Sequence, residues 1–188
     1  MKNFKSIALA LVAFVSFATT AQTTKKVNAA KSTINWVGKK VTGSHEGTIA
    51  LKEGALIYKG KKVVGGNFTV DMTTINTTDL DGKSKANLDG HLKSDDFFGV
   101  EKYPSATLVF KSIGEKGNGV YAVTGDLTIK GKTESIKFDL TVTGKTASTT
   151  LKVDRTKYDI KYGSGSFFSD LGDKTINDEF ELTVKLAL

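Results

Sequence analysis

The sequence predicts an all-β chain of about eight antiparallel strands, and three observations carry that expectation. Apolar and polar residues alternate with period two, glycines recur between the alternating runs, and no run has the spacing of an ordinary amphipathic helix. Such alternation belongs to strands with one wet and one covered face, the antiparallel pattern, and strands spaced this way build barrels or sandwiches. With 39% hydrophobic and 25% charged residues among 188, the composition fits one soluble core. Nothing in the chain indicates a second domain, a fixed-period repeat or a low-complexity linker.

Lys2 and Lys5 precede an uncharged apolar run from Ile7 to Ala18, with small residues at Ala18 and Ala21. The pattern predicts a secretory signal peptide over 1–21, cleaved after Ala21, with cleavage after Ala18 and an uncleaved anchor as alternatives. The expected location is therefore periplasmic or secreted. Losing Lys2 and Lys5 leaves 25 of the 27 basic residues against 20 acidic ones, a net charge of +5. That excess is spread as single lysines, with Arg155 the one arginine, whereas phosphate and groove readers favour arginine's planar fork. Nucleic acid is disfavoured as a partner, and a general affinity for anionic lipid surfaces stays open. The absence of cysteine excludes disulfides and a lipidated cysteine anchor.

Residues 22–31 are polar and read as a flexible lead-in to a domain over 32–188. Within that domain Phe68, Val70 and Met72 share one strand face, as do Leu108 and Phe110, and Tyr121, Val123, Leu127 and Ile129. Ile136, Phe138, Leu140 and Val142 repeat the pattern, followed by Phe180, Leu182, Val184 and Leu186. Gly54, Gly60, Gly65–Gly66, Gly117–Gly119, Gly131 and Gly144 are assigned to hairpin turns. Residues 85–100 break the alternation and predict a short helical or irregular connection. Trp36, Phe68, Met72, Phe110, Tyr121, Phe138 and Phe180 then face inward from different strands. They form either a packed core or the lining of a lumen, since an eight-stranded barrel is just filled by side chains or holds one small ligand.

Three segments, HLKSDDFFGVEKYPSATLVFKSI, GDLTIKGKTESIKFDL and VDRTKYDIKYGSG with the later EFELTVKL, resemble the YceI-like family of exported bacterial proteins over about 32–188. The resemblance implies a lipocalin-like, single up-and-down antiparallel barrel whose elongated apolar tunnel binds polyisoprenoids or similar long-chain amphiphiles. Two local departures are Lys132, where an apolar residue is common, and the element GSHEG at 43–47.

The stretch HLKSDDFFGVEKYP at 91–104 gains a role from that reading. Phe97 and Phe98 cannot both face inward in a strand, but an irregular connection can turn both toward an apolar opening, with Leu92 beside them; alternatively they cap the barrel end as core. Pro104 biases Tyr103 toward extended backbone as the next strand begins. Ser94-Asp95-Asp96 reads as a helix N-cap, or as paired carboxylates for acid–base chemistry. His45 and His91 lack paired metal-ligand spacing; each is solvent-facing or hydrogen-bonded, or, if functional, near a ligand head group. YGSGSFF at 162–168 lacks the glycine and helix of a phosphate loop and reads as a mobile loop, with Phe167 and Phe168 as further contacts to the tunnel or as packing. Arg155 is expected to anchor a carboxylate, Asp159 or Asp178.

No nucleophile elbow or cysteine nucleophile is present, so no catalytic residue, metal or cofactor is assigned. The ligand-binding set is Trp36, Phe68, Met72, His91, Leu92, Phe97, Phe98, Phe110, Tyr121, Phe138, Phe167, Phe168 and Phe180. The expected partner is a long-chain lipid or isoprenoid, with transient membrane contact and a homodimer left open. Burying about fifteen methylene equivalents contributes on the order of 12 kcal/mol before ordering costs, so tail burial alone reaches useful affinity. Two other functions stay open: an enzyme using His45, His91 and an aspartate on an amphiphile, and a solid-cored barrel acting through its surface in adhesion or envelope stress.

Overall fold

The computed structural model describes residues 21–188, so the expected signal peptide lies outside the described residues except for Ala21. Nine strands make one sheet: β1 (Gln22–Lys26), β2 (Asn28–Lys40), β3 (Gly43–Lys59), β4 (Lys62–Thr77), β5 (Ser105–Gly117), β6 (Val120–Ile129), β7 (Lys132–Thr143), β8 (Thr146–Asp154) and β9 (Ile176–Ala187). Each of β2 to β9 pairs antiparallel with the next, and β9 returns to pair with β2, closing an eight-stranded up-and-down barrel. Closure removes most of the open edge, although β7 pairs with β8 only over Thr141–Thr143 against Thr146–Ser148. The ninth strand, β1, lies on the outer half of β3, with Gln22 opposite Lys59 and Lys26 opposite Ala55. The expected flexible lead-in is thus ordered as β1 and the start of β2, because β3 runs for 17 residues and offers backbone partners beyond the reach of β2.

The connections divide by end. One end has the short hairpins β3–β4, β5–β6 and β7–β8; at β5–β6, Asn118 and Gly119 both take positive φ (52° and 77°), the backbone a primed two-residue turn demands. This end is plugged by Leu56, Val63 and Ala147, all nearly inaccessible. The other end has the β2–β3 and β6–β7 turns and two long connections, 78–104 and 155–175. Its β6–β7 turn places Lys130 at φ 50°, from where Nζ donates to the carbonyl of Asp95 at 2.7 Å, tying turn to connection.

The first long connection contains the only α-helix among the described residues, α1 (Gly82–Lys93), which has no fully buried side chain. Polar bonds hold it instead: Lys85 Nζ donates to Asn76 Oδ1, Asp89 Oδ2 and the Thr77 carbonyl, each at 2.7 Å, while Asp89 Oδ1 accepts the Thr77 N–H at 2.8 Å. The helix begins earlier than expected and ends before 94, so Ser94 is its C-terminal boundary and not an N-cap. Its hydroxyl donates back to the His91 carbonyl, and Asp95 forms an exposed ion pair with Lys102. Beyond Ser94 the chain coils on itself, with Phe98 N–H donating to Leu92 O and Gly99 N–H to Ser94 O.

Gly54, Gly65 and Gly66 lie inside β3 and β4 and not in turns, a correction with a steric reason. Gly65 leaves room for the Ile57 side chain, and Gly54 and Gly66 let aromatic rings lie flat on the wall. A Cβ on Gly66 would come within 2.8 Å of the Phe110 ring, and one on Gly47 within 2.5 Å of the Trp36 ring; Phe68 covers Gly54 in the same way. Trp36 faces Gly47 and Phe68 faces Gly54 directly across their ladders. Gly38, opposite Phe180, has no neighbour within 4 Å of where a Cβ would stand. In urea unfolding, Gly66→Ala should therefore lose about 1–3 kcal/mol by overpacking, while Gly38→Ala stays within about 0.5 kcal/mol of wild type.

Candidate functional site

The strands do not meet in the middle. They enclose a cavity of about 190 Å3 whose walls are almost entirely apolar. Its sides are aliphatic residues at alternating strand positions, among them Ile34, Leu51, Leu127, Ile136, Leu182 and Val184. Phe68, Phe110 and Phe138 form an aromatic chain across one wall, the first pair tilted and the second edge-to-face, with centroids 5.5 and 5.8 Å apart. At the capped end a second aromatic chain runs Tyr162–His91–Phe97–Phe98–Phe180, with successive centroids 4.4 to 6.2 Å apart. Phe97 is buried and Phe98 half-buried; the irregular backbone after α1 turns both toward the lumen, as a strand could not.

Of the residues expected to line a tunnel, Trp36, Phe68, Met72, Leu92, Phe97, Phe98, Phe110, Phe138 and Phe180 reach this cavity. Four do not. Tyr121 is buried past the cavity floor beside Tyr58, whose pKa is raised by burial and then by Tyr121 itself. His91 sits behind Phe97, packed on Tyr162, because its helix lies over the barrel rim and not across it. Phe167 and Phe168 point outward, each half exposed.

The mouth was not legible from the sequence. Between Gly38 and Lys40 the β2–β9 ladder slips, Gly38 facing Phe180 and Lys40 facing Ile176, so three β9 residues bow out against Lys39. That bulge brings Lys39, Asn177 and Glu179 to the cavity's edge, with Arg155 behind them. Lys39 Nζ is engaged by Glu181 at 3.1 Å. Arg155, almost wholly buried, donates to the carbonyls of Ile160 (2.8 Å), Asn177 (3.0 Å) and Ile176 (3.0 Å), and its guanidinium lies 5.6 Å over the Phe97 ring. Its carboxylate partner is Asp178 at 3.6 Å, whereas Asp159 pairs with Lys161. Burial pulls the Arg155 pKa down, and Asp178 and then Asp154 oppose that pull. With its donors committed to backbone, Arg155 fastens the 155–175 connection to the start of β9 and offers little to an anionic ligand.

The histidines do not share a centre. His45 Nδ1 is 2.8 Å from Asp79 Oδ2, and Glu46 N–H donates to the other oxygen at 3.1 Å. Burial raises the Asp79 pKa, but the bonds from His45 and Glu46 outweigh it and the net shift is downward. Among the described residues no three His, Cys, Asp or Glu side chains gather as a metal would require. Beside Arg155, burial pushes the Tyr158 hydroxyl up to about 12, so it stays protonated.

An up-and-down antiparallel barrel closed around an apolar lumen, plugged at one end and rimmed by polar groups at the other, places the molecule among the lipocalin-like barrels. The chain belongs to the YceI-like family, whose domain model matches residues 26–188. A UPF0312 protein of Shewanella denitrificans is 38% identical over 45% of this chain, and protein YceI of Escherichia coli 36% over 44%; the matched stretches span less than half the length of either relative, 42% and 47%. A Vibrio cholerae UPF0312 protein is 29% identical over 72% of this chain and 70% of its own. Among solved structures, Burkholderia cenocepacia BcnA superposes with TM-score 0.64 at 24% identity, over 86% of this chain and 99% of its own. A polyisoprenoid binding domain from Saccharophagus degradans gives 0.58 at 14% identity, over 86% and 95%. These structural likenesses establish the fold.

Burial raises the Asp178 pKa, but hydrogen bonds from Ser164 and Ser166 and the charge of Arg155 hold it below its ordinary value overall. A depressed folded-state pKa contributes stability that is complete above the unfolded value near 3.8 and is lost as pH falls through the folded value. Asp178→Asn should therefore lower stability by about 1–2 kcal/mol at neutral pH and lose less than wild type between roughly pH 5 and 3, read from melting temperatures across that range.

Proposed function

We propose that this protein is an exported carrier that sequesters a long apolar amphiphile, of polyisoprenoid, isoprenoid-quinone or fatty-acid type, in its internal cavity. The observation that carries the reading is the lumen itself: about 190 Å3 walled by aliphatic and aromatic side chains, with polar groups confined largely to one rim. A solid-cored barrel would have that volume filled. On the scale of buried water, the space admits on the order of a dozen methylene-sized groups. At roughly 0.8 kcal/mol each, their burial contributes about 10 kcal/mol before ordering costs.

Selectivity then follows chain length and shape more than charge, because Arg155 is spent on carbonyls and Lys39 on Glu181. The family membership and the fold shared with a polyisoprenoid binding domain support the same class of ligand. The enzymatic alternative has less behind it: His45 is bound to Asp79 and His91 is packed among aromatic rings. Carriage in the periplasm agrees with the charge and apolar pattern of residues 1–21.

Mass spectrometry of an organic extract from gently purified protein should show a long-chain lipid. Phe98→Asp, at the half-buried inner edge of the cap, should lose it, with retention reduced about tenfold or more while the protein stays folded by circular dichroism. Gly38→Trp, placing an indole where nothing now stands, should block uptake at nearly unchanged melting temperature. A lipid-free extract together with equal uptake of an apolar probe by both variants sinks the carrier reading.

A further inference from the structure

The exposed apolar side chains of this barrel are gathered at one end. Of the seven large ones most open to solvent among the described residues, Val41, Tyr103, Tyr162, Phe167 and Phe168 lie on connections at the capped end; only Val64 and Val109 lie elsewhere. Among them Phe167 and Phe168 stand side by side, two rings each 50% exposed.

A tightly held turn presents them. The wholly buried Ser164 accepts at its carbonyl the N–H groups of Phe167 (3.2 Å) and Phe168 (3.0 Å), and its hydroxyl oxygen accepts the Ser166 N–H at 3.2 Å. Ser166 Oγ donates to Asp178 Oδ2 at 2.5 Å, and Asp178 rests against Arg155. Gly163 O accepts the Ile176 N–H at 2.8 Å, and Val41 N–H donates to Thr175 O at 3.1 Å. The turn is therefore stitched to the strand that forms the cavity mouth, yet its two largest apolar side chains face water. Nothing in the neighbouring Gly165, Ser166, Ser169 and Asp170 could cover them.

We infer that Phe167 and Phe168, with Tyr162 and Val41, insert into the boundary between head groups and acyl chains of a lipid bilayer, seating the cavity mouth on the membrane. Aromatic rings with one wet side are stable at that depth. Lys161 Nζ stands 5.0 Å over the Phe167 ring, so its ammonium remains at head-group level when the ring is buried. A protein partner fits less well: two rings on a narrow turn fall far short of the roughly 800 Å2 per side that a stable interface buries. The exposed charges of the connection balance, Lys157, Lys161 and Lys174 against Asp159, Asp170 and Asp173, so insertion and not electrostatics supplies the attraction. The contact takes its purpose from the carrier reading, but it is measurable without a ligand.

The test is co-sedimentation of the purified protein with vesicles of phosphatidylethanolamine containing a minority of phosphatidylglycerol, at low and high salt. Wild type should bind with less than about a twofold change between salts. The pair Phe167→Ser and Phe168→Ser should bind about tenfold less or weaker still, and the pair Phe167→Leu and Phe168→Leu should keep most of the binding. Should the serine pair fail to fold, the leucine pair decides: retained binding supports the contact and lost binding overturns it. Equal binding by the serine pair, no binding by wild type, loss of wild-type binding at high salt, or a self-association that the serine pair abolishes each overturns it. Uptake of an apolar fluorescent probe is followed in parallel. Protein that binds vesicles but takes up no probe refutes carriage alone, and protein that takes up probe but ignores vesicles refutes only the membrane contact.

Discussion

An aromatic ring laid over a glycine on the adjoining strand is the constraint on which this barrel depends. Trp36 over Gly47, Phe68 over Gly54 and Phe110 over Gly66 put large apolar side chains flat against the wall instead of across the lumen. Eight strands give an interior that side chains can fill. Here the rings thicken the wall, the aliphatic residues between them stay short of the axis, and a cavity of about 190 Å3 remains. The glycines give up packing and backbone rigidity for this, and the β2–β9 ladder closes the sheet on itself.

The two ends are held differently. The plugged end is apolar and tightly packed around Leu56, Val63 and Ala147. The capped end adds polar ties to buried apolar residues such as Phe97, Val100, Tyr158 and Ile160: Lys85 and Asp89 lash α1 to β4, Lys130 reaches the Asp95 carbonyl, and Arg155 joins one carbonyl of the other long connection to two of β9. Each polar bond exchanges with water at small net gain, whereas buried apolar area does not. The cavity mouth lies at the end that carries these polar ties. Leu92, Phe97 and Phe98 are the apolar side chains of this cap that reach the lumen.

Much of this was legible in the residues. The alternation of Phe138 with Lys137 and Asp139, or of Leu182 with Glu181 and Thr183, fixes which side chains face inward whatever the strands later pair with. Phe97 and Phe98 declared themselves by being adjacent where a strand could not bury both. Other features escaped because they depend on partners remote in sequence. Polar residues 22–26 look unstructured until β3 supplies a ladder for them. Tyr121 alternates inward as Phe138 does, yet the level at which each meets the lumen follows from strand tilt and stagger. His91 looked like a site residue, and the placing of α1 over the rim turned it toward Tyr162.

An all-β chain, its inward faces and the irregular aromatic segment after the helix follow from short-range sterics and a period of two, and so are written in the local sequence. That the interior is hollow, where it opens, and that Arg155 fastens a connection when it could have met a ligand emerge only in the folded chain. Those outcomes are set by the β2–β9 slip at Gly38–Lys40 and by contacts between residues far apart in the chain, which no local pattern encodes.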